Sequence, residues 1–462
     1  MSLVVPLEEV FANKTGLLAN HESWERIELG TICAILNGFP FKSNLFNKSK
    51  GFPVIRIRDI ARSATETFYD GDFPPEYIVR KGELLIGMDG NFRCFEWQGC
   101  EAGLNQRVCK ITADERILLR KFLLYGLNGY LKAIEDVTSS VTVGHLSSRD
   151  IQQIPFPLPS LAEQKRIVAK LEKVLEKVDA CRTRLDKIPT LLKRFRQSVL
   201  AAACSGKLTA DWRKKNPDIQ PANTLIAVEK PTDDLPNGWT MCAFGEYVEN
   251  HDGKRVPVSA IERQKRKGSF PYYGASGIID SIDKFTHDGE FVLIGEDGAN
   301  LLSRSTPIAF LTKGQIWVNN HAHVLRCRHG FPNAYLCAYI NSIDLAPYVT
   351  GTAQPKLNQA NMNTIPVPVP PLPEQQEIVR RVEELFALAD RLEARYAKAK
   401  AQIDRLVPSI LAKAFRGELV PQNPADEPAS VLLAELTGTP NDRTISAQPS
   451  KGIGRRGRPP KS

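Results

Sequence analysis

At 462 residues the chain is too long for one typical hydrophobic core, so two to four domains are expected. Its formal net charge of +9 suits a polyanion partner such as nucleic acid, and its 42% hydrophobic content is that of ordinary globular protein. No stretch approaches the roughly 20 apolar residues of a membrane helix. The first residues carry neither a basic segment nor a long apolar run, so no secretory leader is expected and the cytoplasm is the expected location. Nine irregularly spaced cysteines, with no C-x-x-C pair among Cys94, Cys100 and Cys109, predict reduced, packed thiols.

In chain order, residues 1–23 form an N-terminal segment and a variable block follows over 24–153, opening at Trp24. Its short apolar runs, such as Pro53-Val-Ile-Arg-Ile-Arg-Asp-Ile60, are punctuated by Gly, Pro and Asp and predict a mixed, strand-rich unit. A helical segment occupies 154–208. Ser160-Leu-Ala-Glu163 has the spacing of a capping box, in which the Ser hydroxyl and the Glu carboxylate satisfy free N–H groups at a helix start. Apolar residues then step by three and four through Val168, Leu171, Leu175, Val178, Leu185, Leu192 and Val199, a heptad seam. The run 161–188 would span about 42 Å at 1.5 Å per residue.

A linker over 209–238 leads to a second variable block, 239–364, opening at Trp239 and containing the strand-like Glu290-Phe-Val-Leu-Ile-Gly295. A second helical segment covers 365–419. Pro371 replaces the capping Ser, while Glu374 stays near the positive helix end. The seam continues in Val379, Val382, Phe386, Ala389, Tyr396, Ile403 and Ile410. Pro189 and Pro408 predict a kink or restart in each helix. The C-terminal segment, 420–462, ends in a basic tail. There Arg456-Gly-Arg-Pro459 resembles an AT-hook core, whose arginines lie in a narrow minor groove, or is simply a disordered basic end.

The two helical segments are one text written twice: 154–208 aligns without a gap onto 365–419 at a constant offset of 211 residues. The shared skeleton is I-P-x-P-x-P-x-L-x-E-Q-x-x-I-V, a long heptad pattern, then S-x-L-A-x-A-x-x-G-x-L. Copy one carries four extra residues downstream, around Asp211-Trp-Arg-Lys-Lys215. Arg182 and Glu393 occupy equivalent seam positions. Their opposite charges predict that the copies pair, with the two side chains meeting near the middle of an antiparallel pair. The variable blocks match only at landmarks: Gly82-Glu-Leu-Leu-Ile-Gly-Met-Asp-Gly90 echoes Gly289-Glu-Phe-Val-Leu-Ile-Gly-Glu-Asp-Gly298, and Gly103-Leu-Asn-Gln-Arg-Val108 loosely echoes Trp317-Val-Asn-Asn-His-Ala-His-Val324.

Catalytic signatures are sparse. There is no phosphate loop, no G-x-G-x-x-G opening a helix, no H-E-x-x-H and no Asn-Pro-Pro-aromatic element of the amino-methyltransferase type. Met88-Asp-Gly-Asn91 and Gly295-Glu-Asp-Gly298 look like acidic loops, and a tight turn between strands explains them as well. His321, His323, Cys327 and His329 are the best metal candidates, but their spacing fits nucleic-acid contact or packing better. The basic segments are Lys42-Ser43, Lys48, Lys50, Arg56 and Arg58 in the first block, and Lys254-Arg255 and Arg263-x-Lys-Arg-Lys267 in the second. Such cations neutralise phosphates, and Arg, Asn and Gln bond base edges; charge runs also serve as solvated faces.

The order of parts resembles the specificity subunit of type I restriction–modification systems. The residues that carry the likeness are Gly351-Thr-Ala-x-Pro through Leu-Pro-Glu-Gln-Gln-Glu-Ile-Val379 with the paler copy from Leu146 to Val168, Ser409-x-Leu-x-x-Ala-Phe-Arg-Gly-Glu-Leu419, Gly38-Phe-Pro-Phe-Lys-Ser43 and Val292-Leu-Ile-Gly-Glu-Asp-Gly298. The resemblance covers the chain to about residue 436. Copy one departs from it at Val141-Thr-Val-Gly-His-Leu146, which lacks the proline of the second copy. It implies an α+β fold: two mixed α/β target-recognition domains separated by two long helices in an antiparallel coiled coil, with internal pseudo-twofold symmetry. It implies that each domain reads one half of an asymmetric, bipartite double-stranded DNA target. The helices would set the spacing and dock two modification (methyltransferase) subunits, with restriction (translocase/nuclease) subunits joining them and no membrane involved. No cofactor and no metal are expected in this chain. S-adenosylmethionine, ATP and Mg would belong to the partner chains.

On this reading the chain is non-catalytic. Lys42, Ser43, Arg56, Arg58, Asn105, Gln106 and Arg107 are candidates for the first half-site. Lys254, Arg255, Tyr272, Tyr273, Asn319, Asn320 and His321 are candidates for the second, and Glu163, Gln164, Glu374 and Gln375 for partner docking. Rival readings are a specificity chain serving a fused methyltransferase–nuclease, a metal-dependent nuclease using the Asp-Gly loops, and a protein-binding scaffold.

Overall fold

The computed structural model describes residues 6–11, 18–19, 21–138, 145–226, 235–351 and 354–437. The Arg456-Gly-Arg-Pro459 segment and residues 141–144 of the first copy's divergent stretch lie outside the described residues. The chain forms two compact units, residues 1–183 with 400–462, and residues 184–399. Both predicted helical segments are divided between the units, because each half of a long helix packs into a different core. No helix among the described residues is long and apolar enough to cross a membrane.

In the first unit, a four-stranded antiparallel sheet runs in the order Cys33–Asn37, Val108–Ala113, Leu84–Gly87, Cys94–Glu96. A five-stranded sheet holds Phe52–Ile55 beside Ala102–Leu104 in parallel. The predicted run Pro53–Ile60 is strand only to Ile55. At Arg56 the buried Asp59 carboxylate accepts the backbone N–H (3.0 Å) and turns the chain into the helical turn Ile57–Ile60. The core is filled by helix Arg120–Thr138, by helix Leu161–Leu185 through Leu171 and Val178, and by the end of helix Leu372–Phe415 through Ile410, Ala414 and Phe415. The helices run antiparallel. Arg166 bonds Asp426 (2.6 Å), beyond the end of the second helix, and Arg182 bonds Asp404 (3.4 Å), earlier in it. Arg182 therefore does not meet Glu393; its charge is matched by an aspartate of the paired helix.

The second unit repeats this plan. Its six-stranded sheet runs Val248–Asn250, Ala322–Cys327, His287–Gly295, Ala309–Val318, Phe270–Gly274, Gly277–Ile282. Helix Asn333–Ser342 packs on the sheet, and helix Ile188–Cys204 packs against the first part of Leu372–Phe415 through Val199, Leu200, Ile378 and Val382. Arg196 bonds both Asp390 (2.6 Å) and Glu393 (2.9 Å). Each unit thus holds an antiparallel helix pair made from one part of each copy. Pro189 marks a restart after Leu185, as expected, but Pro408 lies inside a helix that runs unbroken for 44 residues. Ile403, Val407, Ile410 and Leu411 pack on the first unit's core around Pro408, which offsets the lost hydrogen bond.

The duplicated I-P-x-P-x-P motif becomes an edge strand. Among the described residues, Pro155–Leu158 pairs only with Glu25–Glu28, and Pro366–Val369 only with Thr240–Ala243. Phe156 and Leu158 face Ile27 and Glu25, with prolines at the alternate positions. A proline has no N–H to donate, so each strand can zip with one neighbour only.

The capping-box expectation holds in half. Ser160 Oγ accepts the Glu163 N–H (3.1 Å), but the Glu163 carboxylate turns inward, accepting from Trp24 Nε1 (3.1 Å) and from the Gln422 amide. Glu374 does the same with Trp239 Nε1 (2.9 Å), Thr209 Oγ1 (2.7 Å) and the Arg213 guanidinium. Gln164 accepts the Leu119 N–H (2.8 Å) and donates to the Ile117 and Pro159 carbonyls; Gln375 accepts from Tyr247 Oη (2.9 Å) and donates to Pro370. All four side chains are buried, at 4% (Glu163), 0% (Gln164), 1% (Glu374) and 0% (Gln375) exposure. This corrects the docking assignment: a side chain that is buried and bonded inside its own unit offers nothing to a partner.

Three substitutions test the packing at the helix starts and in the first unit's core. Burial holds the Glu163 carboxyl above its ordinary range, despite the Gln422 and Trp24 donors. Its contribution therefore favours the fold at low pH and fades as pH rises through that raised value. Glu163→Gln should be neutral or slightly stabilising at pH 7 and lose that advantage by pH 4, whereas Glu374→Gln, facing Arg213, should cost about 2 kcal/mol at pH 7. Chemical denaturation of the two variants at both pH values checks this. Gly126→Ala, normally worth up to ~1 kcal/mol in a helix, should instead destabilise. Its Cβ would lie 2.4 Å from the Phe415 ring and 2.7 Å from Phe156, so the melting temperature should fall.

Candidate nucleic-acid interface

In the first unit, Ala102–Leu104 passes through the turn Asn105-Gln106-Arg107 into Val108–Ala113. The segment from Gly38 to Phe46 is strapped to this turn: Phe39 N–H donates to the Leu104 carbonyl (2.7 Å) and Gln106 N–H to the Phe39 carbonyl (3.1 Å). The approach is so close that a Cβ on residue 38 would lie 2.0 Å from the Asn105 oxygen, so glycine is required there. The strapped segment carries Lys42 and Ser43, both exposed. Arg56 lies 4.8 Å over the Phe46 ring of the same segment. The fold therefore brings the segment that bears Lys42 and Ser43 against the turn Asn105-Gln106-Arg107, with Arg56 stacked on that segment. Arg58 sits on the next helical turn, its guanidinium 3.9 Å from Asp59.

Against the same turn lies the loop Met88-Asp89-Gly90. The Met88 N–H donates to the Arg107 carbonyl (3.1 Å), and the Leu146 N–H to the Met88 carbonyl (2.8 Å). The Asp89 carboxylate is 3.4 Å from Arg107 Nε and 2.6 Å from His145 Nδ1. A polar recess of about 300 Å³ is lined here by Asn37, Gln106, Arg107, His145, Ser147 and Ser148, together with Met88.

The second unit builds the same junction with other side chains. Ala309–Val318 passes through Asn319-Asn320-His321 into Ala322–Cys327. The Glu296 N–H donates to the His321 carbonyl (2.8 Å), and the Leu357 N–H to the Glu296 carbonyl (2.8 Å). Asp297 takes the place of Asp89 and lies 2.7 Å from His321 Nδ1. Lys356 takes the place of His145 and bonds Glu296 (3.1 Å). Asn320, His321 and Lys254 are exposed, and Tyr273 is half-buried and stacked on Phe310.

Two candidates prove to be interior, and a third is held by ion pairs within its unit. Tyr272 is 1% exposed, its hydroxyl accepting the Val258 N–H (2.9 Å); a core tyrosine presents nothing to DNA. Asn319 is 5% exposed and shapes the turn by accepting the His321 N–H (2.8 Å). Arg255 is held by Glu296 (2.6 Å), Asp252 (3.3 Å) and the Ala322 carbonyl (2.9 Å). Burial pushes the Glu296 carboxyl up, but Arg255, His323 and Lys356 outweigh it and leave it below its ordinary range. Much of the basic run is likewise neutralised internally: Arg263 (3.0 Å) and Lys267 (3.2 Å) pair with Asp280, and Arg266 pairs with Asp283 (2.8 Å). The Ser281 backbone N–H, with Arg263 and Lys267, holds the Asp280 carboxyl down at about 2. His323 is within 2.6 Å of Asp252 through Nδ1 and 2.9 Å of the Leu357 carbonyl through Nε2. Among the described residues no three His, Cys, Asp or Glu side chains converge as metal ligands.

Sequence reasoning missed Asp89, His145, Asp297 and Lys356 as neighbours of the exposed turns. The signal was present in the repeated Asp-Gly landmark, which reads equally well as a plain turn. His145 and Lys356 stand at the shared 211-residue offset but differ in type, so pattern matching passes over them.

The model of the type I restriction modification DNA specificity domain matches residues 21–190 and again 236–401. The chain is 37% identical over 454 residues to the type I restriction enzyme EcoBI specificity subunit of Escherichia coli, covering 91% of each. It is 30% identical to the EcoDI specificity subunit of Escherichia coli, over 88% of this chain and 90% of that one. Among solved structures, a chain from a study of assembly and conformational transition in the type I R-M system superposes with a TM-score of 0.62 at 19% identity, over 86% of this chain and 99% of its own. The crystal structure of the HsdS subunit from Thermoanaerobacter tengcongensis superposes with a TM-score of 0.53 at 19% identity, over 88% and 100%. At such identities the structures speak for the fold. The twice-matched domain and the full-length relatives speak for the family: the chain belongs to the type I restriction–modification DNA specificity family, as a DNA specificity subunit with two specificity domains.

Proposed function

We propose that each unit reads one half of an asymmetric, bipartite duplex target, through the turn Asn105-Gln106-Arg107 in one and the exposed Asn320-His321 in the other. The observation that carries this is that the same place on a duplicated fold bears two different sets of exposed donors. Arg contacts guanine O6 and N7 in pairs, while Asn and Gln suit adenine, so different turns select different bases. Lys42, Ser43, Arg56, Arg58, Lys254 and Tyr273 supply phosphate or base contacts around them. The chain is itself non-catalytic. It holds two methyltransferase subunits on the solvent-facing sides of its helical segments, the pseudo-twofold repeat letting one kind of partner bind twice. Restriction subunits join that assembly, and S-adenosylmethionine, ATP and Mg act in those partner chains, in the cytoplasm.

Replacing residues 24–150 with the corresponding block of another specificity chain, then mapping methylated sites, should change one half of the target and leave the other intact. A change in both halves would overturn the division of labour. Arg107→Ala should weaken discrimination in the first half-site by about 1–3 kcal/mol in equilibrium binding, with the second half-site unaffected.

A further inference from the structure

A carboxylate on a surface that meets DNA is unfavourable, because it repels phosphates. Yet both units keep one at the same point, against turns that otherwise differ. Asp89 and Asp297 each follow a strand of the central sheet, Leu84–Gly87 and His287–Gly295. Each loop is clamped by the same pair of backbone hydrogen bonds, one from its own N–H to the turn and one from the residue after His145 or Lys356. The aspartate position is thus set by the fold and not by the turn. Each carboxylate reaches the last side chain of its turn: Asp89 lies 3.4 Å from Arg107 Nε, and Asp297 lies 2.7 Å from His321 Nδ1. Both reached side chains are about half exposed, at 54% for Arg107 and 48% for His321. Left alone, a long exposed arginine samples many rotamers, and ordering it on a base would cost entropy. The carboxylate meets the Nε–Nη1 edge of the guanidinium, with Nη1 also 3.5 Å from His145 Nδ1, and leaves Nη2 for a base. On an imidazole, a carboxylate at Nδ1 fixes the ring orientation and leaves Nε2 to face out.

Resting on the half-site reading above, we propose that Asp89 and Asp297 are positioning residues for base recognition: fixed carboxylates that orient Arg107 and His321 for the first and second half-sites. The duplicated fold retains the brace and varies what is braced. His145, 2.6 Å from Asp89, is the second group on the first brace.

The test uses the full chain co-expressed with its methyltransferase subunits, and measures binding to the cognate duplex and to duplexes altered in either half. The unmodified complex is measured first; if it discriminates neither half separately, the half-site reading itself fails. Given separate discrimination, Asp89→Asn should reduce discrimination in the first half about 5- to 100-fold and leave the second half unchanged. Affinity for unrelated duplex should hold or rise, since a negative charge near phosphates has gone. Asp297→Asn should give the mirror result. Asp89→Asn combined with Arg107→Ala should lose little more than Arg107→Ala alone, because the aspartate acts through the arginine. A merely structural role predicts a lowered melting temperature with uniform loss over all duplexes. Uniform loss, unchanged first-half discrimination, or additive effects in the double variant would each overturn the proposal.

Discussion

A buried carboxylate one turn into each long helix organises both units. Glu163 and Glu374 receive the indole N–H of the tryptophan that opens the preceding block, and the neighbouring glutamines receive donors from elsewhere in that block. Helix start and recognition block are therefore joined by directional bonds in a water-poor setting, where an unmet partner costs about 1–3 kcal/mol. The strap from Gly38, the Asp-Gly brace and the exposed turns all sit on a scaffold whose orientation to its helix is set there. The remaining donors differ between the copies: a neutral amide from Gln422 in one, the Thr209 hydroxyl and the Arg213 guanidinium in the other. Arg213 lies in the extra residues that only the first copy carries downstream, so that insertion completes the second unit's junction.

Charge is divided in the same economical way. Several cations of the second unit are matched by acids of that same unit: Arg255 by Glu296, Arg263 by Asp280, Arg381 by Asp211. Lys42 and Lys254 stay exposed in or beside the segments around the turns, and the helices keep exposed cations of their own, Lys173, Lys177, Arg194 and Arg395 among them. The ion pairs take Arg255 and much of the 263–267 run out of the exposed charge of the second block.

The architecture was legible because it rests on periodicity and repetition. The heptad steps and the 211-residue offset report backbone-scale regularities, and long helices lie within both repeated segments, with the copies paired. The fine contacts were not legible. Glu-Gln at a helix start reads as surface-exposed by composition, yet Glu163, Gln164, Glu374 and Gln375 are interior because donors arrive from residues distant in the sequence, 45 positions away for Gln164 and more than a hundred for the other three. Tyr272 followed by Tyr273 gave no hint that one ring is core and the other half-exposed, since strand alternation shows only once the register is known. Opposite charges at Arg182 and Glu393 correctly implied pairing of the copies but not the partners, because equivalent positions in an antiparallel pair face each other only at the exact midpoint.

The alternating prolines of the two short edge strands bear on how a duplicated chain avoids its own ambiguity. Near-identical extended segments in one polypeptide invite exchange between copies, or zippering between neighbouring molecules into aggregates. With every second amide missing, such a segment has one sticky border instead of two. A pair of these segments cannot be built into a growing ribbon, so the repetition that supplies the architecture carries its own safeguard against assembling the wrong way.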